Sequence, residues 1–340
     1  METATLKEQY LAYKAANPKK RIRDIAAHLQ VSEAELLMTG LGENTVLLEN
    51  RFEDILQEIP ALGHVMALTR NDHCVHERKG IYKNISFGPH AGLVLGEDID
   101  LRLFMHQWKL GFAVEDKELK SLQFFDASGT AIHKVYLTEK SEFDSYGKLV
   151  NKFRHADQRV VALMPVNPPV KQERRDSEID LVPFHAAWNA MQDTHEFFGL
   201  LKRFGLSRTQ ALRLAPAGYA YPIGITGFKA IMKACAGQEV PVMVFVGNHG
   251  CIQIHTGTIT KLVETGPWFN VLDPKFNLHL REDAIMSAWH VIKPSIDGDI
   301  NSIELFDQNG EIIAQFFGKR KPGIPELKEW KSILTQYLGA

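Results

Sequence analysis

Apolar residues recur along this chain with two periods, and the periods come in a fixed order. In "EIDLVPFHAAWNAMQDTHEFFGLLKRFG" (178–205), Trp188, Met191, His195, Phe198 and Leu201 or Lys202 fall at helical spacing. Lys202 and Arg203 followed by Gly205 form a helix-ending signal, so one amphipathic helix is predicted to run through His195. Downstream, "VPVMVFVG", "GCIQIHTGTITKLVE" and "WFNVLD" alternate with glycines between them, the pattern of strands and hairpins. Near the start, "RIRDIAAHLQVSEAELL" (21–37) predicts two short helices with a turn at Gln30-Val31, the second opened by a Ser32/Glu35 capping box. Helices first and hairpins after predict α+β halves built on antiparallel sheets.

The pattern occurs twice. "WKLGFAVEDKELKSLQFFDASGTAIHKVYL" from Trp108 aligns without a gap to "WHVIKPSIDGDINSIELFDQNGEIIAQFFG" from Trp289, an offset of 289 − 108 = 181. Phe125-Asp126 meets Phe306-Asp307, Gly129 meets Gly310, and Tyr136 meets Phe317. In both copies the turn begins with Asp and places Gly where a positive φ is needed. Upstream, Asn71, Cys74 and Gly80 match Asn248, Cys251 and Gly257 at an offset of 177. Two pseudo-repeats are expected, 1–166 and 181–340, each with helices and a large antiparallel sheet. The proline-rich, then charged, segment 167–180 reads as their linker.

Composition narrows the class. The 340 residues suit two domains, and 45% hydrophobic and 24% charged residues with a net charge of −2 describe a globular protein without the basic excess of a phosphate-binding surface. No apolar run approaches the roughly 18 residues of a membrane span, so no stable membrane insertion is expected. Three scattered cysteines, Cys74, Cys235 and Cys251, point to a reducing cytoplasm. No glycine fingerprint for a dinucleotide follows a strand. The pair of short helices at 21–37 raises a DNA-binding regulator as a rival. Its second helix, however, would present Glu33 and Glu35 to phosphate, and nucleic acid is not an expected partner.

His195 is the focal residue. On the predicted helix its neighbours are Met191, Phe198 and Gly199, and a glycine inside a helix costs about 1 kcal/mol relative to alanine. Clearance for a flat ring ligated by His195 would explain that cost, as would a core histidine bonded to a carbonyl beside a close helix. Arg208, Lys293 and Arg320 either hold an anionic ligand, as guanidinium groups hold carboxylates, or lie on a solvated surface. His73 and His76 have Gly250 and Gln253 as repeat counterparts, so the fold does not require histidine there. His249, Cys251 and His255 would share one face of a strand, but no second ligand pair accompanies them.

The segments "WNAMQDTHEFFGLLKRFGLSR", "IDLRLFMHQW", "NDHCVHERKG", "MVFVGNHGCIQIHTG" and "AWHVIKPSIDGDINSIELFDQNGEIIAQFFGKR" resemble the bacterial cytoplasmic haem-utilisation proteins, the HemS/ChuS/PhuS group. The resemblance runs in order over nearly the whole chain. It implies a haem held in a cleft between the halves, with His195 as axial ligand to iron. Arg102, with Phe104 packing nearby, would reach the opposite face and hold a water or an oxygen species. Arg208, Lys293, Gln315 and Arg320 would meet the propionates and the ring edge. Several relatives carry tyrosine where this chain has Phe317, so a phenol hydroxyl is missing there. Some relatives use the first half for a second haem, which makes His73 its candidate ligand. The function implied is to receive imported haem and degrade it, with reducing equivalents from a partner or a small reductant. The alternative is a non-enzymatic carrier that passes haem to a separate haem oxygenase. An inner-membrane haem importer, a reductase and a haem oxygenase are the implied partners.

Overall fold

The computed structural model describes residues 3–164, 173–321 and 323–338. The chain forms two α+β units. Unit 1 comprises Met1–Arg70, Glu77–Pro168 and Asn248–Gln253, and unit 2 comprises Asn71–His76, Pro169–Gly247 and Ile254–Ala340. The units are thus not the contiguous halves expected, because each contains a six-residue piece from the other repeat. Residues 167–172 of the expected linker lie outside the described residues. The rest of that segment is tied down in unit 2, where Asp176 accepts from Gln210 and Arg213 at 2.9 and 2.7 Å.

In unit 1, helices α1 (Thr3–Ala16), α2 (Ile22–Leu29) and α3 (Glu33–Met38) precede strand β1 (Thr45–Leu47), helix α4 (Phe52–Glu58) and strands β2 (Gly63–Arg70) and β3 (Cys74–Gly80). Strands β4 (Ile85–Phe87), β5 (Gly92–Leu95), β6 (Asp100–Leu103), β7 (Leu110–Asp116), β8 (Leu119–Phe125) and β9 (Ala131–Ser141) follow, then helix α5 (Phe143–Phe153). Strands β1-β7-β8-β9-β2 form an antiparallel sheet in that order, and β4-β5-β6 a meander. One sheet face packs Phe124 and Val135 with Phe52 and Ile55 of α4 and Tyr146 and Leu149 of α5. The other packs Phe112 and Phe125 with Ala34 and Leu37 of α3.

Unit 2 repeats the plan. Helices α6 (Leu181–Asn189), α7 (Glu196–Phe204) and α8 (Arg208–Arg213) lead to β10 (Ala220–Ile223), α9 (Ile225–Gly237), β11 (Val242–Gly247) and β12 (Cys251–Gly257). Then come β13 (Leu262–Thr265), β14 (Trp268–Leu272), β15 (Phe276–Arg281), β16 (Ser287–Lys293), β17 (Ile300–Phe306), β18 (Ile312–Gly318) and α10 (Lys328–Leu338). The sheet order is β10-β16-β17-β18-β11, again antiparallel, with β13-β14-β15 as the meander. Ile303, Leu305 and Phe316 face α9 and α10, while Val291 and Phe306 face Phe184, Trp188 and Phe197 of α6 and α7. No helix among the described residues is long and apolar enough to cross a membrane.

The paired turns behave as their sequences require. Asp126 Oδ1 accepts from the Ser128 and Thr130 amides at 2.8 and 2.9 Å, and Asp307 Oδ1 accepts from Asn309 and Glu311 at the same distances. Gly129 and Gly310 adopt φ of 80° and 74°, and both hairpins bulge one residue before that aspartate. Asn71 Oδ1 accepts from the His73 and Cys74 amides, as Asn248 Oδ1 does from Gly250 and Cys251. The amide nitrogen of Asn248 donates to Arg70 O and Ile132 O, and that of Asn71 donates to Gly247 O and Ile313 O.

The repeat also reaches the helices, at an offset of 205 − 30 = 175 that the sequence alignment did not show. Gln30 and Gly205 both end a helix in the left-handed conformation, at φ of 57° and 63°. Two residues on, Ser32 and Ser207 each cap the next helix by accepting from Glu35 N and Gln210 N. The rival DNA-binding helices are therefore the unit 1 counterparts of α7 and α8. Helix α3 has five buried residues out of six, and Glu33 is anchored by Lys134 Nζ at 2.7 Å and by Arg70. A helix buried in its own unit has no side chains left for a groove, which removes the regulator reading.

Candidate functional site

The predicted helix through His195 is broken. Helix α6 ends at Asn189 and α7 begins at Glu196, with His195 as its N-cap residue. The cause is Asp193, whose Oδ1 accepts from the His195 amide at 2.8 Å and turns the chain before the next helix starts. The His195 side chain is 91% exposed. The alternative of a core histidine bonded to a carbonyl falls for that reason. Its Nδ1 lies 2.6 Å from the same Asp193 oxygen. A carboxylate only accepts, so Nδ1 carries a proton, and in the neutral ring Nε2 presents its lone pair outward. Asp193 is held below the ordinary carboxylate range, first by the His195 amide bond, with contributions from the ring and from the nearby Arg320 charge.

Helix α7 is amphipathic about this point. Phe197 and Leu200 are buried, while Phe198 is 75% exposed, and a side chain at Gly199 would meet nothing within 4 Å. The face His195–Phe198–Gly199 is therefore open, as the spacing argument requires for a flat partner.

Beneath Phe197 lies a buried charge cluster. Glu304, wholly buried on β17, accepts from Arg208 Nε and Nη2 at 2.7 and 2.8 Å and from Lys293 Nζ at 2.6 Å. Arg208 and Lys293 lie 4.9 and 4.7 Å from the Phe197 ring centre. Burial opposes ionisation of Glu304, but the Arg208 and Lys293 charges override it and hold the carboxyl well below its usual range. Burial also pulls the Lys293 ammonium down to about 8. The expectation that Arg208 and Lys293 stand ready for an anionic ligand is corrected to this extent: both already serve Glu304, and the trio leaves one net positive charge.

Gln315 lies opposite Glu304 across the strands, and Phe317 opposite Ser302. With Met243 and Phe245 of β11 they extend this sheet face as a half-buried strip, the Phe245 and Phe317 rings 5.1 Å apart. Arg320, just past β18, lies 3.8 Å from Asp297, and its buried Nε has no partner. The Ile296 amide donates to Gln192 O at 2.9 Å, joining the loop after β16 to the turn that carries His195. Unit 2 thus brings together one outward imidazole, an open glycine, an aromatic strip and an orphaned guanidinium nitrogen. Glu304, Asp193, Met243 and Phe245 escaped the sequence reading. Glu304 could have been found, because its repeat counterpart, Gln123, is also polar on an inward strand face and also buried.

Other expected residues lie elsewhere. Arg102, on β6 of unit 1, binds Asp100 and its Nη1 donates to Leu101 O at 3.1 Å. Phe104 is half-buried and its amide donates to Gly250 O at 3.0 Å. His73 Nε2 is 3.6 Å from Asp307. His249 pairs with Asp126 at 2.9 Å, Cys251 is buried 3.4 Å from Thr69 Oγ1, and His255 stacks on Phe276 at 3.8 Å, so these three form no common site. Among the described residues no three His, Cys, Asp or Glu side chains gather to hold a metal ion. A metal at His195 must bring its other ligands with it, as a porphyrin does.

Residues 30–153 and 205–337 each match the family model of the haemin-degrading HemS.ChuX domain, and the chain belongs to that family. It is 38% identical to the hemin transport protein HemS of Yersinia enterocolitica, covering 97% of this chain and 96% of that one. Its fold matches the crystal structure of holo-PhuS, a heme-binding protein from Pseudomonas aeruginosa, with a TM-score of 0.96, 43% identity and 99% of each chain covered. It also matches the Escherichia coli O157:H7 heme degrading enzyme ChuS, with a TM-score of 0.92, 33% identity and 99% of each chain covered.

Proposed function

We propose that this protein binds haem as substrate or cargo, with His195 Nε2 as the axial ligand, and serves haem uptake by degrading haem or passing it on. The observation that carries the reading is His195 itself: a fully presented imidazole, fixed by a carboxylate, on a helix face kept open by Gly199. Imidazole is a good ligand for iron. Gln315 and Phe317 offer an edge contact and an apolar wall, and Phe198 a second apolar surface. Arg320 and the net positive charge of the Arg208–Glu304–Lys293 trio supply attraction for propionates. The relatives support both outcomes for bound haem, since one is described as a degrading enzyme and another as a transport protein. For Arg102 the resemblance supports a role in turnover, and its tie to Asp100 leaves other guanidinium donors for that task. A cytoplasmic location, an importer, a reductase and an acceptor haem oxygenase belong to the same proposal, as does His73 as ligand of a second haem.

The test is an absorption titration with hemin, followed by a reductant in air with and without catalase. A saturable Soret band near one equivalent, displaced in His195→Ala, is expected. Band loss with iron release that persists under catalase identifies degradation, and Arg102→Ala should slow it while leaving binding in place. A band stable to reductant that moves only to an acceptor protein identifies a carrier. No saturable band in the wild type sinks the haem reading.

A further inference from the structure

We propose that Asp193 is a positioning residue that fixes the His195 ring with Nε2 outward and strengthens it as an electron donor to iron. The proposal rests on the haem reading above and adds a residue to it. An exposed histidine ordinarily samples several rotamers and both tautomers, and the His195 side chain is 91% exposed. Among the described residues the ring is tethered by one carboxylate oxygen, which takes the backbone amide at 2.8 Å and the ring Nδ1 at 2.6 Å. Because the same oxygen holds both groups, the turn that sets the backbone also sets the ring. A carboxylate on the distant nitrogen raises the basicity of a metal-bound imidazole and selects which nitrogen binds. It thereby favours ferric over ferrous iron and makes the bound haem harder to reduce.

The repeat supplies an independent observation. At the helix offset of 175, Asp193 and His195 correspond to Pro18 and Lys20. Both members of the pair are absent together from the copy that has no outward imidazole at this place.

Two variants separate charge from geometry. Asp193→Asn keeps an oxygen that can accept both N–H groups and removes the charge, whereas Asp193→Ala removes both. In the haem-free protein, ¹⁵N shifts of His195 should report a single Nδ1–H tautomer in the wild type and a mixture in Asp193→Ala. With hemin, Asp193→Ala should bind about 10- to 100-fold more weakly. Asp193→Asn should bind close to wild type, with a more positive reduction potential and a lower ferrous iron–histidine stretching frequency. An Asp193→Asn protein whose potential and stretch equal the wild type overturns the electronic role. Unchanged tautomer and affinity in Asp193→Ala overturn the positioning role. Either result leaves the haem reading standing if His195→Ala still displaces the Soret band. If His195→Ala changes nothing, the ligand assignment fails and the proposal for Asp193 fails with it.

Discussion

His133 lies wholly inside unit 1, its Nδ1 2.8 Å from Thr69 Oγ1 and its Nε2 2.6 Å from the Tyr82 hydroxyl. Burial drives its pKa down to about 3. The unfolded chain therefore binds a proton near pH 6.5 that the folded chain refuses until about pH 3, so stability is full above 6.5 and falls as the pH drops through that window. The loss from this one group at pH 5 is about 2 kcal/mol. Urea midpoints at pH 7.5 and 5 should differ correspondingly, and His133→Gln should lower stability at pH 7.5 yet flatten the difference. An equal pH dependence in the variant would assign the acid sensitivity to other groups. His195, Arg208, Lys293 and Arg320 could be picked out of the sequence by residue type. Their partners could not, because Asp193 reads as an ordinary turn residue and Glu304 as an ordinary strand charge until the fold sets them beside a ring nitrogen and two cations.

At the scale of the element, α7 makes a prediction in which stability and function move apart. Gly199 sits inside a helix with open space beside it, so Gly199→Ala should stabilise the protein by about 1 kcal/mol. If the space serves a flat ring, the added methyl should weaken hemin binding at the same time. Thermal melts and a Soret titration on one sample read both, and a stabilised variant with unaltered affinity would leave the glycine without a role in binding. The glycine that ends α7 and the capping box of α3 were legible, but the buried face of α7 was not, since it runs through Phe197 and Leu200 and not through His195 and Phe198. Nor was the break before His195. The i, i+3, i+4 pattern runs on through the sequence, but the turn changes the face: Trp188 and Met191 are buried, whereas His195 and Phe198 are exposed and Phe197 and Leu200 take the buried places.

At the scale of the whole molecule, the duplication has diverged around His195. At the positions of His195, Phe198 and Gly199 unit 1 has Lys20, Arg23 and Asp24, and opposite Gly247 it has Arg70. Charged side chains stand in place of the imidazole, the phenyl ring and the glycine. Hemin binding should therefore saturate at one equivalent through this helix pair. A second equivalent that survives in His195→Ala and disappears in His73→Ala would instead establish the separate first-half site. The two-copy architecture was plain in the strands, where the offset holds at 177 and then at 181 and the turn chemistry is strict. It was hidden in the helices, where the surface residues differ between the copies and the caps keep the register.

The reciprocal placement of Asn71–His76 and Asn248–Gln253 sets the order in which this protein can be made. Unit 1 needs the Gly250 carbonyl to receive the Phe104 amide and the Trp108 indole, and it needs Asn248 to close over Ile132. Those groups leave the ribosome 253 − 168 = 85 residues after the rest of the unit has been synthesised. At roughly 5–20 residues per second the nascent first half waits about 4–17 s with its sheet edge unfinished. During translation this is an open seam that a chaperone can hold, and neither half of the chain expressed alone contains the piece that closes it.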